Sequence, residues 1–445
     1  MEQITGNQRW AVLLCKVPGL DTPVAHKDRN YFADLFVNNS PNGLNRYWRD
    51  ASHNTISLDG SQVFGWVDLP DSFTAIMVSL QRIVEAAVFF SKLEPENEAF
   101  VDFRQFDGIL LVTDVNLDLR GYRLPIPLDL NGEVRPYRLV ICCQDHAHAQ
   151  IAHEMGHAFG LDHSFDTSTE SHSPKNDGRP GAYGDRWDIM SAMVRIKTFN
   201  RPPFGAAGPL LNAVNMSLLG WLDPSRTFTL DRNDNSATIK LRPLNRPDLP
   251  GYLAAKVGSV FVEFRSNDPS TRSFTNWDEG LDRSAVFVHS SGPGASENVV
   301  GDTHSILLKG MTTFLNNEVA IQDLQTGNTL ELGNPSWPYN AYTRIEVVEI
   351  DDTNLSATVR LRWRMARPEP VQVGVLQWII QGLIGLGPDG GIVKVPPRQP
   401  VNDILVGLAM YELASHLEDA EEQLAAQKNS MRLIAQIARK VGGKP

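Results

Sequence analysis

The chain has little sulfur, no long apolar run and no surplus of positive charge. Three cysteines in 445 residues cannot form a disulfide framework, which excludes a small cross-linked scaffold. Cys142 and Cys143 are neighbours on an apparent strand, Arg138 to Cys143. Strand neighbours point to opposite faces, so the two thiols should neither pair nor share an ion, and a core role is expected. The most apolar stretch, Val371 to Leu386, is interrupted by glutamines and glycines and is too short to span a bilayer. The formal net charge of −11 leaves no basic excess to neutralise phosphates, which argues against general nucleic-acid binding. The N-terminus lacks a basic start, an apolar run and a small-residue cleavage site. No signal peptide is therefore expected, and the protein reads as cytoplasmic or exported without a leader.

What the chain does carry is His153-Glu154-Met155-Gly156-His157-Ala158-Phe159-Gly160-Leu161-Asp162-His163. This is HExxHxxGxxH, three imidazoles and one carboxylate at zinc-site spacing. Ala147 to Leu161 has few helix breakers and predicts a helix, starting near Gln144 or Asp145. Residues four apart share a helix face, so His153 and His157 can address one ion. Glu154 can reach a water on that ion without ligating it. Gly160 permits a left-handed turn that ends the helix and swings His163 round as third ligand. Three neutral imidazoles leave one tetrahedral position open, the mark of a catalytic zinc ion. Zinc lowers the pKa of a bound water towards about 7, and Glu154 can act as its general base. HExxH alone arises by chance in roughly one such chain in a hundred, and the fixed Gly160 and His163 lower that much further.

Downstream, Tyr183 to Ser191 contains Met190 in a segment that suits a tight turn. Together with the histidine motif, it resembles the Met-turn of the metzincin zinc metallopeptidases. That resemblance implies that Met190 packs beneath the metal and that Gly160 is structural at the site. Further segments are similar to the gametolysin and immune-inhibitor-A-like peptidases: Tyr31 to Pro70, Phe106 to Val112, Asn215 to Pro224 and Val260 to Arg265. The similarity covers roughly residues 10 to 290 and is patchy outside the histidine motif. It implies a secreted endopeptidase, yet those families carry a signal peptide and a propeptide that this sequence does not display. Cys15 lies in the likely first strand, so no cysteine-switch inhibition is expected.

Together with that resemblance, which implies a metzincin-like catalytic domain over 1–223 with a mixed twisted sheet, the pattern along the chain predicts an α+β fold in three parts, the others being an antiparallel β-sandwich over 224–367 and a linker with a C-terminal helical segment over 368–445. Trp10 to Val17 and the nearly continuous apolar run Asp107 to Val115 read as strands of a sheet covered on both faces. Ser72 to Leu93 reads as a helix, with Ile76, Leu80, Ile83, Val84, Ala87 and Val88 on its apolar stripe. Asp28 to Val37 and Asn42 to Ser52 read as helix or loop. The family resemblance implies a substrate-binding edge strand, which is placed within Asn116 to Leu128. His146 and His148 read as surface or supporting groups, and His172 as a solvated loop residue. Beyond Pro224, short alternating runs that include Tyr252 to Arg265 suggest the sandwich, with His289 and His304 in its core. It is either a substrate- or glycan-binding module or a packing brace. Asn402, a reasonable N-cap, opens one long or two shorter helices that can dock, oligomerise or contact a membrane or partner.

These readings converge on a zinc-dependent endopeptidase acting on protein or peptide substrates. His153, His157 and His163 are assigned to one catalytic zinc ion and Glu154 to catalysis. Asp166, Asp177 and Asp185 permit calcium without an EF-hand spacing. Two other classes fit the same residues: a zinc-retaining binding protein without turnover, and a zinc hydrolase of a non-protein amide.

Overall fold

The computed structural model describes residues 3–18, 25–70, 79–169, 180–191, 196–230, 236–258, 260–267, 276–292, 304–314, 317–333 and 342–364. The expected tail over 368–445, His172 and Asp177 lie outside them. Met1–Leu332 and Tyr342–Arg364 form one compact unit. It is a mixed α/β structure, richer in strand than in helix. Among the described residues, no helix is long and apolar enough to cross a membrane.

The N-terminal half is organised by a sheet in the order Gln62–Asp68, Trp10–Lys16, Gly108–Thr113, Glu133–Cys143, Arg120–Gly121. The first four strands are parallel, and Arg120–Gly121 closes the edge antiparallel to Glu133–Cys143. Strand alternation explains why the central strands are apolar throughout. Trp10, Val12, Leu14, Leu110, Val112, Val140 and Cys142 face one core, which also holds Met155 and Met190. Ala11, Leu13, Cys15, Ile109, Leu111, Leu139 and Ile141 face the other, with Ile83, Ala87 and Phe90 of the helix Ser79–Ser91. The three cysteines are buried and free. On that helix the buried face runs through Arg82, Ile83, Ala86, Ala87 and Phe90, while Val84 and Val88 are only half-buried. The stripe is thus rotated by about one residue from the expected one. The segment 29–37 is a short α turn followed by a π-helical turn, and Leu44–Ala51 is a helix.

The C-terminal half contains two six-stranded sheets around a shared core of Val262, Phe264, Val286 and Val288 from one and Ile345, Val347, Val359 and Leu361 from the other. Tyr252 to Arg265, expected as one run, is a hairpin: Ala254–Val257 and Val260–Arg265 pair antiparallel after Gly258 turns at φ +62°. The sandwich is antiparallel inside but not at its margins. Thr227–Thr229 pairs parallel with Ala254–Val257, and Phe165–Asp166 pairs parallel with His304–Leu307. The strand Phe165–Asp166 comes from the N-terminal half, directly after the histidine motif.

Candidate metal centre

The helix His148–Ala158 carries the motif. It begins later than expected because Gln144 and Asp145 form a turn before it, and Gln150 caps its start by accepting the Ala147 N–H at 2.8 Å. Gly160, at φ +97°, ends it in the left-handed region that glycine adopts without strain. His153 and His157 stand one turn apart on the helix, and the turn at Gly160 returns His163 to them. The Nε2 of His157 lies 3.1 Å from that of His153 and 3.0 Å from that of His163.

The tautomers follow from the backbone. The Nδ1 of His153 faces the Ile189 carbonyl at 2.8 Å, and that of His157 faces the Leu161 carbonyl at 2.9 Å. A carbonyl only accepts, so each Nδ1 carries the proton and each Nε2 presents a lone pair. Two inward lone pairs at this separation repel each other unless a cation lies between them. A tetrahedral ion with bonds of about 2.0–2.1 Å needs nitrogens about 3.3 Å apart. The two separations at His157 come close to that value, so the cluster can hold such an ion, with carbonyls orienting the His153 and His157 rings from behind. Burial, reinforced by His153, holds the His157 pKa down to about 3 and keeps its imidazole neutral. Among the described residues these three histidines are the group that can hold a metal. Asp166 instead accepts from Ser168 and Gln322, and Asp185 is bonded to His289.

Glu154 is buried beside the cluster. Its Oε2 accepts the Gly121 N–H at 2.6 Å, which orients the carboxylate and leaves Oε1 free for a water. Burial pushes its pKa up, while His153 and the Gly121 N–H pull the other way. The terminal strand Arg120–Gly121 approaches so closely that a Cβ at Gly121 would overlap the Glu154 carbonyl. Met190 is fully buried, and its sulfur occupies the space that a Cβ at Gly156 would need.

An open cleft of about 850 Å³ runs over these groups, lined by Leu119, Arg120, Tyr122, Arg123, His146 and Tyr183 among others. Gly121 and Tyr183 are absent from the residues assigned by motif. The Tyr183 hydroxyl lies 2.7 Å from the His163 Nε2, and the residue sits at φ +60°, a costly conformation for tyrosine. Of the two places expected for His146 and His148, surface or support, both residues take a buried one. His148 is fully buried and stacks on Trp277 with centroids 5.1 Å apart, and burial lowers its pKa to about 3. His146 is buried at the cleft wall, where its Nδ1 accepts the Cys143 N–H at 2.9 Å.

A second buried polar cluster lies behind Met190. Asp188 accepts from the N–H of Met190 at 2.7 Å, from Ser164 at 3.0 Å and from the N–H of Asn212 at 2.6 Å. Burial, then neighbouring Asp185, push its carboxyl up to about 6. Asp185 pairs with His289 of the sandwich at 3.0 Å, and Asn212 donates to Ser305 at 2.7 Å. His289 and Arg265 share Glu263 as a neighbour, and Arg265 also binds Asp278 through two nitrogens.

Compared with known proteins, the chain matches no family model and no curated sequence.

Proposed function

We propose that the protein is a zinc-dependent endopeptidase of the metzincin type. The observation that carries this reading is the convergence of the Nε2 atoms of His153, His157 and His163 beside a buried carboxylate held by Gly121, all lining an open cleft. His153, His157 and His163 would hold the ion. Zinc, when bound, supplies a Lewis acid that polarises the scissile carbonyl and acidifies water.

The chain's own groups do the rest. Glu154 takes a proton from the attacking water through Oε1 and passes it to the leaving amine. Its raised pKa suits it to hold that proton between the two steps. The Tyr183 hydroxyl donates towards the oxygen on which negative charge develops. Arg120–Gly121 ends the sheet with no further strand beside it among the described residues, which suits addition of an extended peptide. Met190 and Gly156 form a packed floor that keeps the rings in place.

The test is a proteome-derived peptide library read by mass spectrometry, with wild type and Glu154→Gln, both assayed for bound zinc. Cuts by the wild type that fall about 10²–10⁴-fold in a zinc-loaded variant support the reading. A variant that cuts like the wild type refutes the role of Glu154. A zinc-loaded wild type that cuts no peptide refutes the peptidase assignment in favour of a binding protein or a non-peptide hydrolase.

A further inference from the structure

We propose that the sandwich is a working part of the three-histidine centre, with His304 as the positioning residue of His163; this rests on the zinc reading above. His153 and His157 are placed by the helix that carries them. His163 is not, because it lies beyond the turn at Gly160 on a segment without helical hydrogen bonds. Its N–H is satisfied locally, by the Asp162 carboxylate at 2.9 Å. Its carbonyl faces the Nδ1 of His304 at 3.2 Å. A carbonyl only accepts, so Nδ1 is the protonated nitrogen and donates.

His304 grips the segment on both sides of the ligand. Its ring lies against Phe165 at a centroid distance of 4.5 Å, and its Nε2 is 3.7 Å from the Asp162 carboxylate, which Arg123 binds at 2.8 Å from the cleft side. Immediately beyond, Phe165 and Asp166 pair in register with Ile306 and Leu307 of the same sandwich strand. The Asp166 side chain accepts from Gln322 at 2.9 Å. The ligand without helical support is thus fixed by residues 141 positions later, and the sandwich supplies what the helix cannot. A bond that sets a ligand's position is worth about 10- to 100-fold in metal affinity when lost.

The experiment is a zinc titration of the full chain against a competing chelator, with the melting temperature of the metal-free protein measured alongside. The variants are H304L, which keeps bulk and loses the donor, and H304N, whose amide nitrogen stands at the Nδ1 position. The expected result is a zinc dissociation constant at least about tenfold weaker for H304L, with most of the loss recovered in H304N. Wild-type affinity in H304L overturns the proposal. So does an equal loss in both variants, because the effect would then belong to the ring's packing alone. If H304L does not fold, H304Q takes its place, since its amide reaches the Nε2 position instead. Tighter zinc binding by H304N than by H304Q supports the proposal, and equal binding overturns it. A wild type that takes up no zinc removes the zinc reading itself, a result distinct from any difference among variants.

Discussion

Two buried polar clusters flank the Met190 turn, and they are built on opposite principles. On the cleft side, His153 and His157 turn lone pairs toward each other with carbonyls behind them, and His163 joins them with the Tyr183 hydroxyl at its Nε2. On the far side, carboxylates are matched by cations and amides: Asp185 with His289, Glu263 and Asp278 with Arg265, and Asp188 with Asn212, Ser164 and the turn itself. Acceptors without donors are costly until a cation arrives, which is the signature of a site meant to bind. Acceptors matched with donors need nothing further, which is the signature of a joint. Met190 lies between them, its sulfur under the histidine helix and its N–H on Asp188.

The sharpest way to break this contrast is to damage each cluster in the metal-free protein. Arg265→Leu leaves Glu263 and Asp278 buried without their cation, and an unpaired buried charge costs about 3–5 kcal/mol. His157→Ala removes one side of a repulsive pair together with one hydrogen bond, a loss of about 1 kcal/mol. Urea unfolding should therefore separate the two variants widely. If His157→Ala destabilises the metal-free protein as much as Arg265→Leu, the histidines are a structural joint too, and the distinction fails.

Tyr183 tests which cluster it serves. Its ring packs on His163 with centroids 4.0 Å apart, and its hydroxyl is aimed at the Nε2. Tyr183→Phe keeps the ring and removes the donor. The expected outcome is a fall in kcat of about 10²-fold, the scale of one lost oxyanion donor, with zinc retained. Zinc loss at unchanged kcat would move Tyr183 to the structural side.

How much of this was legible in the sequence depends on distance along the chain. The ligand spacing on the helix is local, so His153, His157 and the left-handed Gly160 follow from periodicity and backbone sterics. The apolar strands Trp10–Lys16 and Gly108–Thr113 are likewise legible within a residue or two, because both of their faces are covered. Gln62–Asp68 is not legible as a strand, since Gly65 interrupts its apolar pattern. Gly121 contacts Glu154 across 33 positions and His304 contacts His163 across 141. No local pattern records those pairings. Gly156 appears in the motif as an unspecified position, and its need for no side chain emerges only once Met190 is packed against it. The strand Phe165–Asp166 is two residues long, too short for alternation to show.

The smallest expected effect concerns pH and the strength of the joint. Burial works against a charge on His289, but Asp185 at 3.0 Å and Glu263 at 3.9 Å outweigh it, so its pKa lies above the usual 6.5. The folded state therefore binds this proton more tightly than the unfolded chain does. The resulting stability is complete below about pH 6.5 and drains away as pH rises through the raised value, at about 1.4 kcal/mol for each pKa unit of elevation. His289→Gln keeps an amide donor but cannot ionise. The gap in unfolding free energy between wild type and variant should be widest near about pH 6 and narrow steadily towards about pH 9. A gap independent of pH would mean that His289 serves only as a neutral donor to Asp185. The joint behind Met190 would then be held by hydrogen bonds alone on that side, with Arg265 as its charged anchor.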